Sequence, residues 1–321
     1  MTYPAYPKRM LTEDEIETFR RDGVVMVKGL LESNWLNLME TGLEEARYAA
    51  SLMGKAMSAK TKGYEMDAYL WKRNDALRDL IYYSPFARWA QQLMGSEEVR
   101  FFYDQMFVKE PGTDAPTPWH QDMSFWPLEG DQICSFWVPL DPVTRVNSGL
   151  QYVKGSHRWS NRYKAISPDY NSGLLEDKTL EDVPDINAHP EKYESTCWDM
   201  EPGDVLIFHP LTLHGSSGNT TRNHRRRALA LRWLGDDVRF YPSDTRMPIA
   251  YQHNAKPGDK VSGGAFPRIL PEHIPAERAL RAHGPERMQS TVIGRSAWKT
   301  LRASVKQRLQ GFNKKELEQT W

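Results

Sequence analysis

Short segments rich in β-branched and aromatic residues follow one another between residues 99 and 236, and they constrain the fold more than any other feature of the chain. Turn sequences such as Glu110-Pro-Gly, Asn147-Ser-Gly and Glu201-Pro-Gly-Asp separate them. Strands of this length, with turns at this spacing, are typical of a β-sandwich or jelly roll. The predicted strands are 99–108, 133–140, 150–153, 205–208 and 227–235. We therefore predict a mainly β core.

Helical patterns precede this core. A capping box of Thr12 and Glu15 predicts a helix over 12–22 that ends before Gly23, and Val24–Val27 follows as a short strand. Apolar residues at helical spacing predict further helices over 35–50 and 75–94. Residues 1–98 are therefore predicted to be mostly helical and to flank the core.

We predict one domain over residues 1–321. The core at 99–236 contains a polar, irregular insertion at 155–200, which we interpret as a lid because long loops of this kind are often functional. Residues 237–321 form a C-terminal extension that is predicted to end in an amphipathic helix over about 295–312. The basic face of that helix is interpreted as a solvated surface.

Composition limits the class of partner. The 42 basic and 42 acidic side chains cancel, so no net field attracts nucleic acid or an anionic membrane, and a small-molecule substrate is favoured. We find no apolar run of the length that spans a bilayer and no secretory signal at the start. The two cysteines exclude a disulfide scaffold and predict a reducing compartment, the cytoplasm. Both a monomer and a homodimer are compatible with this sequence.

A histidine and a carboxylate two residues apart predict a metal site. His120 and Asp122 point to the same side if they lie on a strand or its edge, and His214 follows a predicted strand as a third ligand. Two neutral imidazoles and one carboxylate leave three positions of an octahedral ion open, which suits Fe(II) oxygenases. Those positions accept a bidentate keto acid and O₂. His209 is a competing candidate for the third ligand.

A keto-acid cosubstrate brings a second carboxylate, which the planar fork of an arginine matches best. The sequence Arg225-Arg-Arg227 enters the strand after His214. Alternation along a strand directs Arg226 inward if Arg225 and Arg227 point outward.

Four motifs together resemble the phytanoyl-CoA dioxygenase family of Fe(II)/2-oxoglutarate-dependent oxygenases. They are Trp-His120-Gln-Asp122, Gly149-Leu-Gln-Tyr-Val-Lys-Gly-Ser-His157, Pro202-Gly-Asp204 with His214-Gly-Ser, and Arg226 two residues before Ala228. The resemblance implies a double-stranded β-helix, the cupin-like form of the jelly roll, flanked by helices. It also implies His120, Asp122 and His214 as iron ligands. One departure is Asn147-Ser-Gly, where many members place glycine directly after the asparagine.

The family chemistry implied is conversion of 2-oxoglutarate and O₂ to succinate and CO₂ with hydroxylation of a small organic molecule. The resemblance assigns Arg226 to the distal carboxylate of 2-oxoglutarate and places Lys109, Trp137 and Ser216 in the same pocket. Asp122 argues against halogenation, because halogenases of this superfamily lack the carboxylate. No basic cluster suits a CoA phosphate, which favours a CoA-free substrate.

Polar and aromatic residues near the predicted site are candidates for substrate contact, because amphipathic aromatic side chains often line pockets. These candidates are Tyr103, Gln105, Phe125 and Trp126.

Two alternative functions remain open. The same ligand types suit zinc, so one alternative is a zinc-dependent hydrolase or isomerase. The other is a non-catalytic, cupin-like metal-binding protein. Arg226 and Lys109 argue against a hydrolase, which needs no second carboxylate anchor.

Overall fold

The computed structural model of the 321-residue chain describes residues 5–51, 54–55, 58, 62–159, 162–165, 177–251 and 253–271. The predicted terminal helix lies outside the described residues. So does part of the insertion at 155–200, and its interpretation as a lid stays a prediction.

Four helices precede most of the strands: α1 (Glu13–Asp22), α2 (Ser33–Tyr48), α3 (Asp75–Tyr83) and α4 (Phe86–Met94). The strands are β1 (Val24–Val27), β2 (Tyr64–Ala68), β3 (Val99–Lys109), β4 (Thr117–His120), β5 (Leu128–Glu129), β6 (Ile133–Pro139), β7 (Gln151–Val153), β8 (Ser195–Cys197), β9 (Val205–Phe208), β10 (His214–Ser216), β11 (Arg226–Leu234), β12 (Arg239–Phe240) and β13 (Arg268–Leu270). Among the described residues, no helix has both the length and the apolar character needed to cross a membrane.

Helix α1 begins and ends as the sequence predicts. The Thr12 hydroxyl accepts the Glu15 N–H at 3.2 Å, and the Glu15 carboxylate accepts the Thr12 N–H at 2.8 Å. Gly23 then adopts the left-handed conformation, with φ 75°. The capping box and the terminating glycine therefore fix both ends of α1.

The single helix predicted over 75–94 is wrong. The chain breaks between α3 and α4, where Ser84 is extended, with ψ 166°, and Pro85 follows. A proline disfavours helical geometry in the residue before it and has no N–H to donate. The apolar periodicity continues across the break because both helices cover the same sheet.

Two antiparallel sheets form the core. The larger has seven strands, in the order β1-β9-β6-β11-β3-β13, with β2 also paired to β3. The smaller has four strands, in the order β4-β10-β7-β8. Their inner faces meet, as shown by Tyr152 of the smaller sheet and Phe208 of the larger, whose ring centroids lie 5.3 Å apart. This arrangement is the predicted jelly roll with flanking helices.

The N-terminal part contributes strands as well as helices. β1 is the predicted strand, whereas β2 was not predicted, and both extend the larger sheet at its two sides. β2 covers Gln105–Lys109 of β3, so it forms one wall beside the inner face. The described part of residues 1–98 therefore adds two strands to the sheet as well as the helices that cover it.

The larger sheet has one apolar face covered by helices and one face turned to the interior. On β11, Leu229, Leu231 and Trp233 pack in the cluster that contains the four helices. Alternate residues face inward, where Ala228 and Ala230 pack with the interior aromatic side chains. The period of two along the strand therefore separates the structural face from the face available to a site.

Gly23 joins the N-terminal elements to the loop before β10. Its carbonyl accepts the His209 N–H and the Thr212 hydroxyl, each at 2.8 Å. A Cβ built on Gly23 would overlap the His157 ring and lie 2.5 Å from the Thr212 Oγ. Glycine is required here both for the positive φ and for the close approach.

We expect Gly23→Ala to lower the free energy of unfolding by about 2–4 kcal/mol, because left-handed strain and overpacking add at this position. Gly95→Ala is the matched control: Gly95 has φ 63°, but a Cβ there meets nothing within 4 Å. At Gly95 the alanine should add only conformational strain, so the free energy of unfolding should fall by about 1 kcal/mol. Urea unfolding of both variants measures the difference, and equal losses would contradict the packing argument.

Candidate metal centre

The structure brings His120, Asp122 and His214 together. His120 ends β4, His214 begins β10, and the two are directly paired across the smaller sheet. Asp122 opens a short 3₁₀ turn after β4. Its Oδ1 lies 3.4 Å from His120 Nε2 and 3.7 Å from His214 Nε2. The three candidate ligand atoms lie within 4.8 Å of one another.

Backbone carbonyls orient both imidazoles. His120 Nδ1 donates to the Pro118 carbonyl at 2.8 Å, and His214 Nδ1 donates to the Thr212 carbonyl at 2.9 Å. A donating Nδ1 leaves the lone pair on Nε2, which faces Asp122 in each case. The tautomer needed for metal binding is therefore set by the strand backbone.

The cluster fits a cation. Two Nε2 lone pairs and a carboxylate converge without a proton to share, and Asp122 Oδ2 has no hydrogen-bond partner among the described residues. Lone pairs brought this close repel one another unless a positive ion lies between them. Two histidines and one carboxylate form the three-ligand set of non-haem Fe(II) sites, so the donor chemistry fits iron.

Electrostatics keep these residues in their metal-binding forms. Burial, assisted by His120, lowers the pKa of His214 to about 4, so its imidazole is neutral at pH 7. Burial alone would raise the pKa of Asp122. The close His120 ring and the charge of Arg232 outweigh burial and hold that pKa below its usual range. The site therefore offers a carboxylate and at least one neutral imidazole.

His209, the competing candidate, lies elsewhere. Its Nδ1 accepts the Leu211 N–H at 3.2 Å, and its Nε2 donates to the Asp131 carbonyl at 3.2 Å. Its ring contacts Phe19 and His157. His209 therefore supports the junction at Gly23.

Arg226 is buried at the start of β11 without an ion-pair partner among the described residues. Its NH1 donates to the Phe107 carbonyl at 3.4 Å and its NH2 to the Ser148 hydroxyl at 3.3 Å, both long contacts, and its Nε lacks a partner within the described chain. The guanidinium lies 5.6 Å from the Trp137 ring centroid. Arg225 is exposed, and Arg227 points outward to Asp141, as strand alternation predicts.

Lys109 pairs with Arg226 across β3 and β11 and is fully buried. Its Nζ donates to the hydroxyls of Ser216, at 3.2 Å, and Thr117, at 3.3 Å. Burial, followed by the charge of Arg226, lowers the pKa of Lys109 to about 6. The four predicted cosubstrate residues thus meet in one polar cluster: Lys109, Trp137, Ser216 and Arg226.

Ser148, the departure in the turn, adopts a left-handed conformation with φ 76°. Glycine is favoured at such a position, and serine is strained there. The hydroxyl of Ser148 donates to the Ser217 carbonyl at 2.6 Å and lies 3.0 Å from the Ser216 hydroxyl. The turn keeps its geometry, and the serine adds a hydroxyl beside Arg226.

All four candidate substrate-contact residues line the cavity that contains the metal cluster: Tyr103, Gln105, Phe125 and Trp126. Several other lining residues were not predicted from the sequence, among them Tyr64, Arg232 and Met247. Arg232 could have been predicted, because it lies an even number of residues after Arg226 on the same strand and therefore faces the same side. No sequence pattern indicated Tyr64, since its strand, β2, was not predicted.

We expect His214→Ala to weaken Co(II) binding roughly hundredfold or more, because losing a ligand exceeds the 10–100-fold effect of losing its supporting contacts. His209→Ala is the matched control, since this buried histidine takes no part in the cluster. The ligand-field absorption of Co(II) measures both affinities. Equal losses in the two variants would contradict the ligand assignment.

Comparisons with known proteins agree on one family. The phytanoyl-CoA dioxygenase (PhyH) family model matches residues 19–228. The dioxygenase FrzG of Cladobotryum sp is 25% identical over 245 residues, covering 68% of this chain and 72% of FrzG. The human peroxisomal phytanoyl-CoA dioxygenase is 23% identical, covering 73% of this chain and 65% of the human protein.

Solved structures share the fold. The non-haem α-ketoglutarate-dependent carbocyclase SnoK from nogalamycin biosynthesis superposes with a TM-score of 0.63 at 21% identity, covering 81% of this chain and 97% of SnoK. EctD from S. alaskensis, crystallised with 2-oxoglutarate and 5-hydroxyectoine, gives a TM-score of 0.58 at 18% identity, covering 79% of this chain and 88% of EctD. At these identities the likeness establishes the jelly-roll fold.

Proposed function

Because the chain belongs to the phytanoyl-CoA dioxygenase family of 2-oxoglutarate-dependent non-haem iron dioxygenases, we propose that His120, Asp122 and His214 bind its iron and that Arg226 binds its 2-oxoglutarate. The reaction proposed is hydroxylation of a small organic molecule with formation of succinate and CO₂. The observation that carries this assignment is Arg226, a buried guanidinium without an ion-pair partner in the described part of the chain, in the same cavity as the metal cluster.

Iron, when bound, supplies the redox chemistry that couples decarboxylation of the keto acid to oxidation of the substrate. His120, Asp122 and His214 would hold the iron, and all three line the cavity where the keto acid and O₂ would bind. The backbone contacts at Pro118 and Thr212 hold the imidazoles in place. Phe125 and Trp126 line the same cavity with aromatic surface.

The polar cluster suits the distal carboxylate of 2-oxoglutarate. Arg226 has spare donors, and Lys109 and the hydroxyls of Ser148 and Ser216 surround it. A carboxylate there would replace long contacts with charge-assisted hydrogen bonds. The keto acid would then extend along the inner face toward the metal.

The alternatives fit the site less well. A zinc hydrolase uses a metal-bound water and gives Arg226 and Lys109 no anion to bind. A structural metal is usually enclosed by four ligands, whereas this cluster has three and opens into a cavity. Asp122 occupies the place that a halide would need, which disfavours halogenation.

We also propose a single catalytic domain, a monomer or homodimer, and a cytoplasmic location. The sequence features that support these assignments are the balanced charge and the two cysteines. The free thiol of Cys134 is buried, as expected where disulfides do not form.

We expect Arg226→Gln to raise the KM for 2-oxoglutarate about 30-fold or more, because a lost charged hydrogen-bond pair costs about 2 kcal/mol. Arg227→Gln is the matched control, since its outward side chain pairs with Asp141, Glu40 and Glu44 and should leave the KM within about threefold. Succinate formation with Fe(II), 2-oxoglutarate and O₂ measures both. If wild type forms no succinate yet binds zinc tightly, the hydrolase alternative is preferred.

We expect 2-oxoglutarate binding at pH 8 to take up a proton on Lys109. The free lysine, with a pKa of about 6, is neutral there, and an adjacent dianion raises that pKa. Affinity should therefore fall as pH rises above 6, by up to about tenfold per unit. Arg226 stays charged, and Tyr64, whose pKa burial raises, stays neutral.

Calorimetry of the Mn(II)-loaded protein in two buffers with different ionisation heats measures this proton uptake. The heats should differ in wild type and agree in Lys109→Met. Equal heats in wild type would show that Lys109 does not titrate on binding.

A further inference from the structure

We propose that Arg232 binds a carboxylate of the primary substrate, so that the enzyme acts on small organic acids with an apolar body. This inference rests on the proposed function and adds the substrate class to it. It arises from a second buried guanidinium in the cavity, distinct from the one assigned to 2-oxoglutarate.

Arg232 lies on the same inward face of β11 as Arg226, six residues along the strand, or about 20 Å at 3.3 Å per residue. Both side chains line the cavity that contains the metal cluster. Arg232 lies beside the candidate metal ligands, because its NH2 is 3.7 Å from Asp122 Oδ2. The two arginines therefore define separate ends of one cavity.

The hydrogen-bonding capacity of Arg232 is largely unused. Its side chain is 3% exposed, and its Nε has no partner among the residues described. NH2 donates to Gln105 Oε1 at 3.1 Å, while NH1 reaches the Ala230 carbonyl only at 3.4 Å. The separation from Asp122 exceeds hydrogen-bonding distance. A buried guanidinium with free donors needs an acceptor, and none in the described chain completes it.

The sum of charges in the cavity also favours an anionic substrate. In the loaded site, the metal dication, the Asp122 carboxylate, the 2-oxoglutarate dianion and Arg226 together carry no net charge. Lys109, which is expected to take up a proton with the cosubstrate, adds a positive charge to this loaded site. Arg232 is a further buried positive charge, and its nearest carboxylate, that of Asp122 at 3.7 Å, is already counted in this sum, so the site keeps an uncompensated positive charge, which is costly. A substrate carboxylate would neutralise it and match its fork in bidentate geometry.

Aromatic rings hold the guanidinium in position. It lies 4.4 Å from the Tyr103 ring centroid and 6.0 Å from that of Trp126. These rings are linked by a hydrogen bond of 2.9 Å from Trp126 Nε1 to the Tyr103 hydroxyl. A guanidinium stacked on a fixed ring loses little freedom when an anion binds.

The residues near Arg232 indicate the chemistry of the rest of the acid. Phe125 and Met247 line the cavity next to this aromatic pair and offer apolar contact. Because Arg232 adjoins a candidate metal ligand, a carboxylate on it lies close to the metal. The oxidised carbon is therefore only a few bonds from the carboxylate, and the apolar body extends toward Phe125.

The test uses Mn(II)-loaded full-length protein saturated with 2-oxoglutarate, so that added acids cannot occupy the Arg226 end. The probes are phenylacetic, 3-phenylpropanoic and cyclohexanecarboxylic acids, each compared with its primary amide, which has the same shape without the charge. Proton NMR line broadening by Mn(II) reports both the affinity and the proximity to the metal.

At least one acid should bind about tenfold or more tightly than its amide and be broadened by Mn(II). Arg232→Gln should abolish this preference, and Arg232→Lys should retain part of it because the charge remains without the fork. Arg227→Gln is the matched control, since the Arg227 side chain points outward to Asp141, and it should preserve the preference for acids.

Three results would overturn the inference: no acid binding better than its amide, a preference that persists in Arg232→Gln, or a loss of Mn(II) affinity in Arg232→Gln equal to its loss of acid binding. The last would show that Arg232 only supports Asp122. Failure of wild type to bind 2-oxoglutarate would instead contradict the proposed function, and that result is read separately before any acid is added.

Discussion

The register of β11 between β3 and β6 is the constraint on which the site depends. Ala230 pairs with Gln105 on one side and Trp137 on the other, which sets the inward face of three adjacent strands at once. A slip of one residue would turn Arg226 outward and place Arg227 in the cavity. The helices prevent such a slip, because Leu229 and Leu231 must remain in the apolar layer beneath them.

The cavity is lined by buried charged groups with polar atoms that lack hydrogen-bond partners in the described chain. Asp122 Oδ2, Arg226 Nε and Arg232 Nε are all buried without hydrogen bonds in the described chain. Each such group costs free energy on folding, and apolar replacements of similar volume are often more stable. These three residues line one cavity, where bound ligands would complete their hydrogen bonding, and functional sites are where folds retain such costs.

Local chemistry explains which elements could be predicted. The capping box at Thr12 and the inward position of Arg226 depend on residues near in sequence, and both were predicted. Tyr64–Ala68 was not, because its strand character comes from pairing with β3, far along the chain. The order of His120, Asp122 and His214 along the chain suggested a metal cluster. Only the pairing of His120 with His214 across the smaller sheet brings the distant histidine next to the other two residues. The left-handed turn at Ser148 was unpredictable in detail, since its hydroxyl contacts lie in distant strands.

If Arg226 and Arg232 bind the two carboxylates proposed above, the residues around each arginine would distinguish the two ligands. Around Arg226, hydroxyl groups and the amine of Lys109, which becomes a second cation when protonated, would surround the distal carboxylate of the proposed cosubstrate. Around Arg232, aromatic rings provide no second cation, so the proposed partner is a singly charged acid whose apolar part replaces water. Exchanging the two ligands would leave Lys109 facing an apolar body and would force a dianion against Tyr103. Either exchange would bury polar groups without hydrogen-bond partners, which costs free energy. Specificity would then arise from this cost as much as from the favourable contacts of each ligand in its own place.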